Sequence, residues 1–243
     1  MTNKPYIGII GGSGIYELKN LKNTKWIKLE SDYGKPSDEI LTGIIGEVNI
    51  AFLPRHGRSH NLLPSGINYR ANIDCLKKLG ITDIISLSAV GSLKENIKPG
   101  QFIIIDQFID RTIARKKTFF DEGIVAHVSM AKPVSEKLSK IILESASKDI
   151  EIFLGGTYLA MEGPQFSSLA ESELYRTWNC DVIGMTNMPE AKLAREAEIA
   201  YATVAMVTDY DCWHPDHENV DVQKVIKVLL GNAEKAKNMI KNL

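Results

Sequence analysis

The sequence predicts an α/β protein with a largely parallel or mixed sheet, and two observations carry that reading. Apolar runs at residues 6–10, 48–53, 84–88, 102–105 and 201–207 read as buried strands. Segments with helical spacing fall between and after them, so strands and helices alternate from one end of the chain to the other.

Taken in order, residues 6–10 form a strand that runs into Gly11-Gly12-Ser13-Gly14, and residues 48–53 form a second, closed by Pro54. Residues 68–79 have helical spacing and stop at Gly80, a natural C-cap. Two further strands, 84–88 and 102–105, are linked by a segment rich in Gly, Lys and Pro. A helix is expected over 133–148, with proline in its first turn, and a short one over 190–198 behind Pro189. The strand at 201–207 precedes Thr208-Asp209-Tyr210-Asp211-Cys212-Trp213, and an amphipathic helix fills 220–243. The stretch 111–129 is weakly patterned and too long for an ordinary connection, which marks it as a functional loop or an oligomer contact. No linker, repeat or low-complexity segment divides the chain, and one domain over residues 1–243 is expected.

The 243 residues are 44% apolar and 24% charged, enough for a substantial core. A formal net charge of −1 gives no basic field for nucleic acid or an anionic membrane. The three cysteines, Cys75, Cys180 and Cys212, are widely spaced and fit neither a disulfide framework nor a zinc site. With no signal-peptide pattern and no apolar stretch of membrane-spanning length, a soluble cytoplasmic protein is expected.

Several segments could carry chemistry. Asp209 and Asp211 bracket an aromatic residue at the end of a strand, and they face the same way if the extended geometry persists. Paired acids there suit a nitrogen-rich ligand; the competing reading is one helix cap and one solvated acid. Gly11-Gly12-Ser13-Gly14 is a candidate anion cradle, although it fits neither the dinucleotide fingerprint nor a Walker loop. In Arg55-His56-Gly57-Arg58-Ser59-His60 the guanidinium forks suit phosphate, with a solvated loop as the alternative. Gly57, and the lack of a Glu after His56, argue against a zinc-binding helix. Ser88-Ala89-Val90-Gly91-Ser92 could close around an anion or a sugar hydroxyl. Phe166 could stack on a flat ring or simply pack in the core, and Met185-Thr186 could line a sugar face or fill space.

Together and in this order, Ile7 to Tyr16, Arg55 to His60, Asn68 to Asn72, Ser88 to Ser92, Asp106 to Arg111, Glu162 to Phe166 and Thr208 to Trp213 resemble one family, the trimeric purine nucleoside phosphorylases, in its S-methyl-5′-thioadenosine branch. The resemblance implies a central mixed, partly barrel-like sheet flanked by helices. It implies an enzyme of purine and methionine salvage that splits 5′-methylthioadenosine with phosphate, giving adenine and 5-methylthioribose 1-phosphate. Phosphorolysis of 6-oxopurine nucleosides is the alternative, and a non-catalytic nucleoside sensor is a more distant one. Carried onto this chain, Ser13, Arg55, His56, Ser88 and the Ala89 N–H would hold phosphate, with Thr186 beside both phosphate and sugar. Met185 would line the ribose and Phe166 the purine. Asp209, as the catalytic acid, and Asp211 would address the N7 and 6-position edge. Val222, Val225 and Ile226 would wall the 5′-substituent, and His127 would reach a neighbour's site in a homotrimer. The resemblance calls for no metal or organic cofactor, phosphate being a co-substrate. Relatives acting on 6-oxopurines carry Asn at the position of Asp209 and Glu at that of Ser167, so both residues here point to adenine, whose amino group a carboxylate accepts.

Overall fold

The structure is a computed structural model that describes residues 6–15, 21–120, 123–215 and 222–243, with the side chains of the last segment described from residue 227. Among these residues the strands are β1 (Tyr6–Gly11), β2 (Lys22–Ile27), β3 (Ile40–Ile45), β4 (Val48–Pro54), β5 (Asp83–Ser92), β6 (Phe102–Ile105), β7 (Gln107–Asp110), β8 (Ile152–Leu154), β9 (Thr157–Ala160), β10 (Val182–Gly184) and β11 (Ala200–Asp209). The helices are α1 (Tyr69–Lys78), α2 (Glu136–Ser145), α3 (Leu169–Thr177), α4 (Asn187–Glu196) and α5 (Val222–Lys241). None of the described helices is long and apolar enough to cross a membrane.

β5 is the hub of the sheet. One edge pairs with β1 in parallel and then, further along, with β10 in antiparallel; the other edge pairs with β11 in parallel along nearly its full length. Both β5 and β11 are buried almost throughout, as strands covered on two faces are; β11 is largely apolar, while β5 intersperses Ser86, Ser88 and Ser92 among its apolar residues. Beyond β1 the order continues through β4 and β3 to β2. Beyond β10 it runs to β9 and β7, and beyond β11 to β6 and β8. β6 and β7 are separated by Asp106 alone, and β8 and β9 by Gly155 and Gly156, so the two arms meet through bent strands and the sheet curls back on itself. This is the mixed, partly barrel-like sheet that the family resemblance implies.

The helices cover the sheet according to their apolar stripes. Residues of α1 and α4 share one core cluster with β1, β5 and β11, while α2 and α5 close another on the opposite side. Asn68 caps α1 by accepting from the Ala71 N–H, and Gly80, at φ 80°, ends that turn. The helix expected over 190–198 starts earlier, at Asn187, but Met188 has non-helical dihedrals, so its regular part does begin behind Pro189.

Several elements lie outside the apolar pattern. β2 reads Lys-Asn-Thr-Lys-Trp-Ile and is largely exposed at the sheet edge, where no burial imposes periodicity. β8, β9 and β10 are three or four residues long, too short to show a period. α3 carries a full capping box, Ser168 with Glu171, which is the signal that would have revealed it. The described residues of 111–129 form no helix or strand.

Candidate active site

The strands β1, β4, β5 and β11 are mutually parallel, so their carboxyl ends lie along one side of the sheet. Ligands of open α/β sheets bind at such an edge, and a cavity of about 380 Å³ opens there. Ser13 follows β1, Arg55 and His56 follow β4, Ala89 lies in the last third of β5, and Asp209 ends β11; all five residues line the cavity. Thr186 and Met185 enter from the β10–α4 junction, Phe166 from the segment before α3, and Asp211 from the turn after β11.

One end is built around a buried guanidinium. The Arg55 N–H donates to the Gly11 carbonyl at 2.9 Å, which sets the residue beside the turn at Gly12 and Ser13. A Cβ on Gly12 would stand 2.6 Å from the Leu87 carbonyl oxygen and 3.0 Å from Arg55 Nη1, so only glycine lets the turn lie this close. Arg55 is 1% exposed. Its Nε donates to Glu190 Oε2 at 2.7 Å and its Nη2 to Glu190 Oε1 at 3.0 Å, a bidentate pair. Nη2 also meets Ser86 Oγ at 2.5 Å, and Nη1 the Leu87 carbonyl at 3.0 Å. Four of the five guanidinium N–H groups are thereby engaged, leaving one on Nη1, the atom nearest Gly12. Burial works against the charge, but Glu190 more than offsets it and holds Arg55 above its ordinary pKa.

His56 lies beside it, with Nδ1 2.8 Å from the Leu62 carbonyl oxygen. A carbonyl only accepts, so Nδ1 carries the hydrogen. Burial, partly countered by that carbonyl and reinforced by the Arg55 cation, pushes the imidazole down to about 4. Neutral and protonated on Nδ1, His56 presents Nε2 as an acceptor, suited to a P–OH or a sugar hydroxyl. Thr186 lines the cavity from the N-cap position of α4, without using its side chain as a cap.

The other end is acidic. β11 carries a bulge: Val207 pairs with Val90 and Asp209 with Gly91, leaving Thr208 as the extra residue. The consecutive residues Thr208 and Asp209 therefore both line the cavity. The expectation that Asp209 and Asp211 share a strand face is corrected here, because the strand ends at Asp209 and Asp211 adopts a left-handed φ of 53°. A turn brings them together instead: the Asp211 N–H donates to Asp209 Oδ1 at 2.8 Å. Neither acid caps a helix among the described residues. Gly91 makes room for the pair, since a Cβ there would stand 2.9 Å from Asp209 Oδ1. Burial raises the pKa of Asp209, opposed by Thr208 and the Asp211 N–H and aided by the Asp211 carboxyl. Burial raises Asp211 as well, against the pull of nearby serine hydroxyls.

Between the ends, Val90, Met161 and Ile183 supply an apolar wall. Phe166 belongs at the mouth rather than in the core; it is 54% exposed while lining the cavity. Met185 is held by its backbone: Arg115, buried from the irregular 111–129 stretch, donates to the Met185 carbonyl, to the Met188 carbonyl at 2.7 Å and to the Glu162 carbonyl at 2.7 Å.

Two expected residues, Ser88 and His127, do not line the cavity. Ser88 is buried; its Oγ lies 3.2 Å from the Tyr158 hydroxyl, on the face of β5 opposite the Ala89 side chain. His127 is exposed and does not line this chain's cavity. Val222, Val225 and Ile226 fall on α5, but their side chains lie outside the described residues; Leu229 of that helix does reach the cavity. The two arginines of the 55–60 segment part company, Arg58 being 43% exposed and paired with Asp38 and Glu39.

Sequence reasoning missed Glu190, Thr208 and Arg115. None of the three carries a local signal that separates it from its charged or polar neighbours in the sequence.

The comparisons with known proteins agree with this geometry. Residues 6–243 match the model of the phosphorylase superfamily. An S-methyl-5′-thioadenosine phosphorylase of Rhodospirillum rubrum is 61% identical over 240 residues, covering 98% of this chain and 81% of the relative. One from Cereibacter sphaeroides is 58% identical, covering 99% of this chain and 83% of the relative. Among solved structures, a methylthioadenosine phosphorylase from an antarctic soil metagenomic library has a TM-score of 0.92 at 50% identity, covering 99% of this chain and 85% of that one. A Schistosoma mansoni methylthioadenosine phosphorylase in complex with adenine has a TM-score of 0.93 at 34% identity, covering 98% of this chain and 90% of that one. With nearly its whole length matched at these identities, and with the anion-facing and acid-facing residues gathered in one cavity, the chain belongs to the phosphorylase superfamily.

Proposed function

We propose that this cavity cleaves 5′-methylthioadenosine with inorganic phosphate, releasing adenine and 5-methylthioribose 1-phosphate. The observation that carries the reading is the opposed chemistry of its two ends: a charged guanidinium beside a glycine turn at one, a pair of carboxyls largely withdrawn from water at the other. Relatives at up to 61% identity bear the name of this activity.

In this reading phosphate sits against Arg55 Nη1, Ser13, His56, Thr186 and the Ala89 N–H, and Met185 lies under the ribose. As the C1′–N9 bond breaks, a phosphate oxygen bonds to C1′ and the electron pair stays with the purine. Asp209 gives N7 a proton, so adenine leaves neutral, which is general-acid catalysis by a desolvated carboxyl. The second oxygen of Asp209, with Asp211, accepts from the 6-amino group, a role that favours adenine over a 6-oxopurine. Placement of phosphate by fixed donors supplies the rest of the acceleration. The reaction uses no metal or organic cofactor, so a chelator leaves the rate unchanged.

The same proposal includes a homotrimer in which His127 completes a neighbour's site. Its support is the irregular stretch around that residue, where Ile113, Ile124 and Val125 are 84%, 67% and 80% exposed, an unusual density of bare apolar side chains. Light scattering coupled to gel filtration tests the assembly.

The decisive experiment measures free base release from methylthioadenosine, adenosine and inosine, each with and without phosphate. Phosphate-dependent adenine release from methylthioadenosine, with inosine inert, is expected. Preferential cleavage of inosine overturns the base assignment and keeps the family chemistry; base release independent of phosphate overturns the reaction itself.

A further inference from the structure

Thr208 stands between two oxygens that cannot both receive its hydrogen. Its Oγ1 lies 3.1 Å from the Val90 carbonyl oxygen and 2.6 Å from Asp209 Oδ2. A hydroxyl has one hydrogen and a peptide carbonyl can only accept. If both contacts are hydrogen bonds at once, the one to Val90 uses the threonine hydrogen, and the one to Asp209 needs a hydrogen on the carboxyl. The arrangement is built by the β11 bulge, which leaves Thr208 unpaired in register and buries its hydroxyl over Val90. Asp209 Oδ1 is already taken by the Asp211 N–H, so Oδ2 is the oxygen left to carry a proton.

We propose that Thr208 is a positioning residue for the reaction, a two-way hydroxyl that accepts from protonated Asp209 in the resting site and donates to Asp209 once its proton has gone to the purine. This deepens the proposed function and rests on it. In the resting arrangement the Thr208 hydrogen points to Val90 and the Asp209 Oδ2 hydrogen to Thr208. When base is bound, that hydrogen turns to N7. As it transfers, the threonine hydrogen swings from the Val90 carbonyl to Oδ2, so the new carboxylate is met by a donor without any movement of the backbone. No proton is gained or lost by Thr208 over the cycle.

The charged surroundings of Asp209 are few. Asp211, in the turn after β11, is the titratable group facing it, and Glu171 of α3 faces Asp211 in turn. β5 offers it only the backbone of Val90 and Gly91. Arg55 and His56 line the same cavity from the β4 side. Burial raises Asp209 above its ordinary pKa.

The test compares Thr208→Val, which keeps the shape, with Thr208→Ser, which keeps the hydroxyl. Loss of one hydrogen bond to a charged group predicts a fall in kcat on methylthioadenosine of roughly 10- to 100-fold for Thr208→Val. The KM for phosphate is expected to stay within about twofold, because the change touches only the acid end. Thr208→Ser is expected to recover most of kcat. The carboxylate loses its donor in Thr208→Val, so the alkaline limb of kcat moves to higher pH, a shift that a packing defect does not produce. Infrared difference spectra against Asp209→Asn near neutral pH give a readout independent of turnover: a protonated-carboxyl C=O band is expected in the wild type, displaced in Thr208→Val. A wild type inert on methylthioadenosine ends the proposed function, while the infrared comparison still decides the state of Asp209. Absence of that band, full kcat in Thr208→Val, or equal losses in the valine and serine variants overturns the assignment to Thr208.

Discussion

The two ends of the cavity are both buried, and burial has opposite consequences in them. At the anion end Arg55 is almost wholly buried, yet it is held firmly charged, because Glu190 meets it through two hydrogen bonds and Ser86 and Leu87 satisfy most of what remains. At the base end Asp211 is buried and Asp209 partly so, and withdrawal from water raises the pKa of both. Desolvation alone does not determine ionisation; the partner does. In the proposed reaction one end would receive an anion and the other would hold a proton until the leaving group needs it.

Removing the partner at the anion end gives the largest expected effect. Glu190→Ala strands a buried guanidinium and is expected to cost roughly 3–5 kcal/mol of stability, the usual penalty for breaking a buried ion pair from one side. Urea denaturation measures it, and a midpoint unchanged from wild type would break the contrast at its root. At the base end Asp209→Asn is expected to cut adenine release by about 100-fold or more, the span of general-acid catalysis, and to admit some 6-oxopurine cleavage. Unimpaired adenine release by this variant removes Asp209 from the mechanism.

The same variant sharpens the contrast in stability. Because Asp209 has a raised pKa in the folded state, that state holds a proton which the unfolded chain gives up. Its contribution is complete below the ordinary Asp pKa and declines as pH rises through the raised value. Asp209→Asn should therefore gain stability relative to wild type on going from acidic to neutral pH, as urea midpoints at the two pH values will show. A relative loss over that interval contradicts the raised pKa. The smallest effect is expected at Arg58, three residues from Arg55 but exposed and paired with Asp38 and Glu39. Arg58→Ala should change stability by roughly 1 kcal/mol or less and leave the KM for phosphate as it was.

Much of the site was legible because its residues sit where buried parallel strands end. Runs of apolar residues located β1, β4, β5 and β11, and the residues just past or near those ends (Ser13, Arg55, His56, Ala89, Asp209) line the cavity. What failed was the geometry beyond the strand. Simple alternation placed Asp209 and Asp211 on a common face, whereas a bulge and a left-handed residue bring them together by another route. Ser88 was grouped with Ala89, yet the pleat turns it to Tyr158. Nothing local separated Arg55 from Arg58, although one is buried and paired with Glu190 at the cavity and the other is a surface charge.

The sequence by itself determined the α/β class, the order of the main strands and helices, and the chemical types gathered at the carboxyl edge, because apolar periodicity and the residues that follow it are local properties of the chain. Only the tertiary structure decided which of those residues are charged, which are neutral and which face one another. Arg55 takes its partner from a residue 135 positions away, and Arg115 reaches from an unpatterned stretch to carbonyls more than 40 positions further along the chain. Protonation and hydrogen-bond direction depend on burial and on neighbours that folding brings together, and neither is encoded in the spacing of residues along one segment.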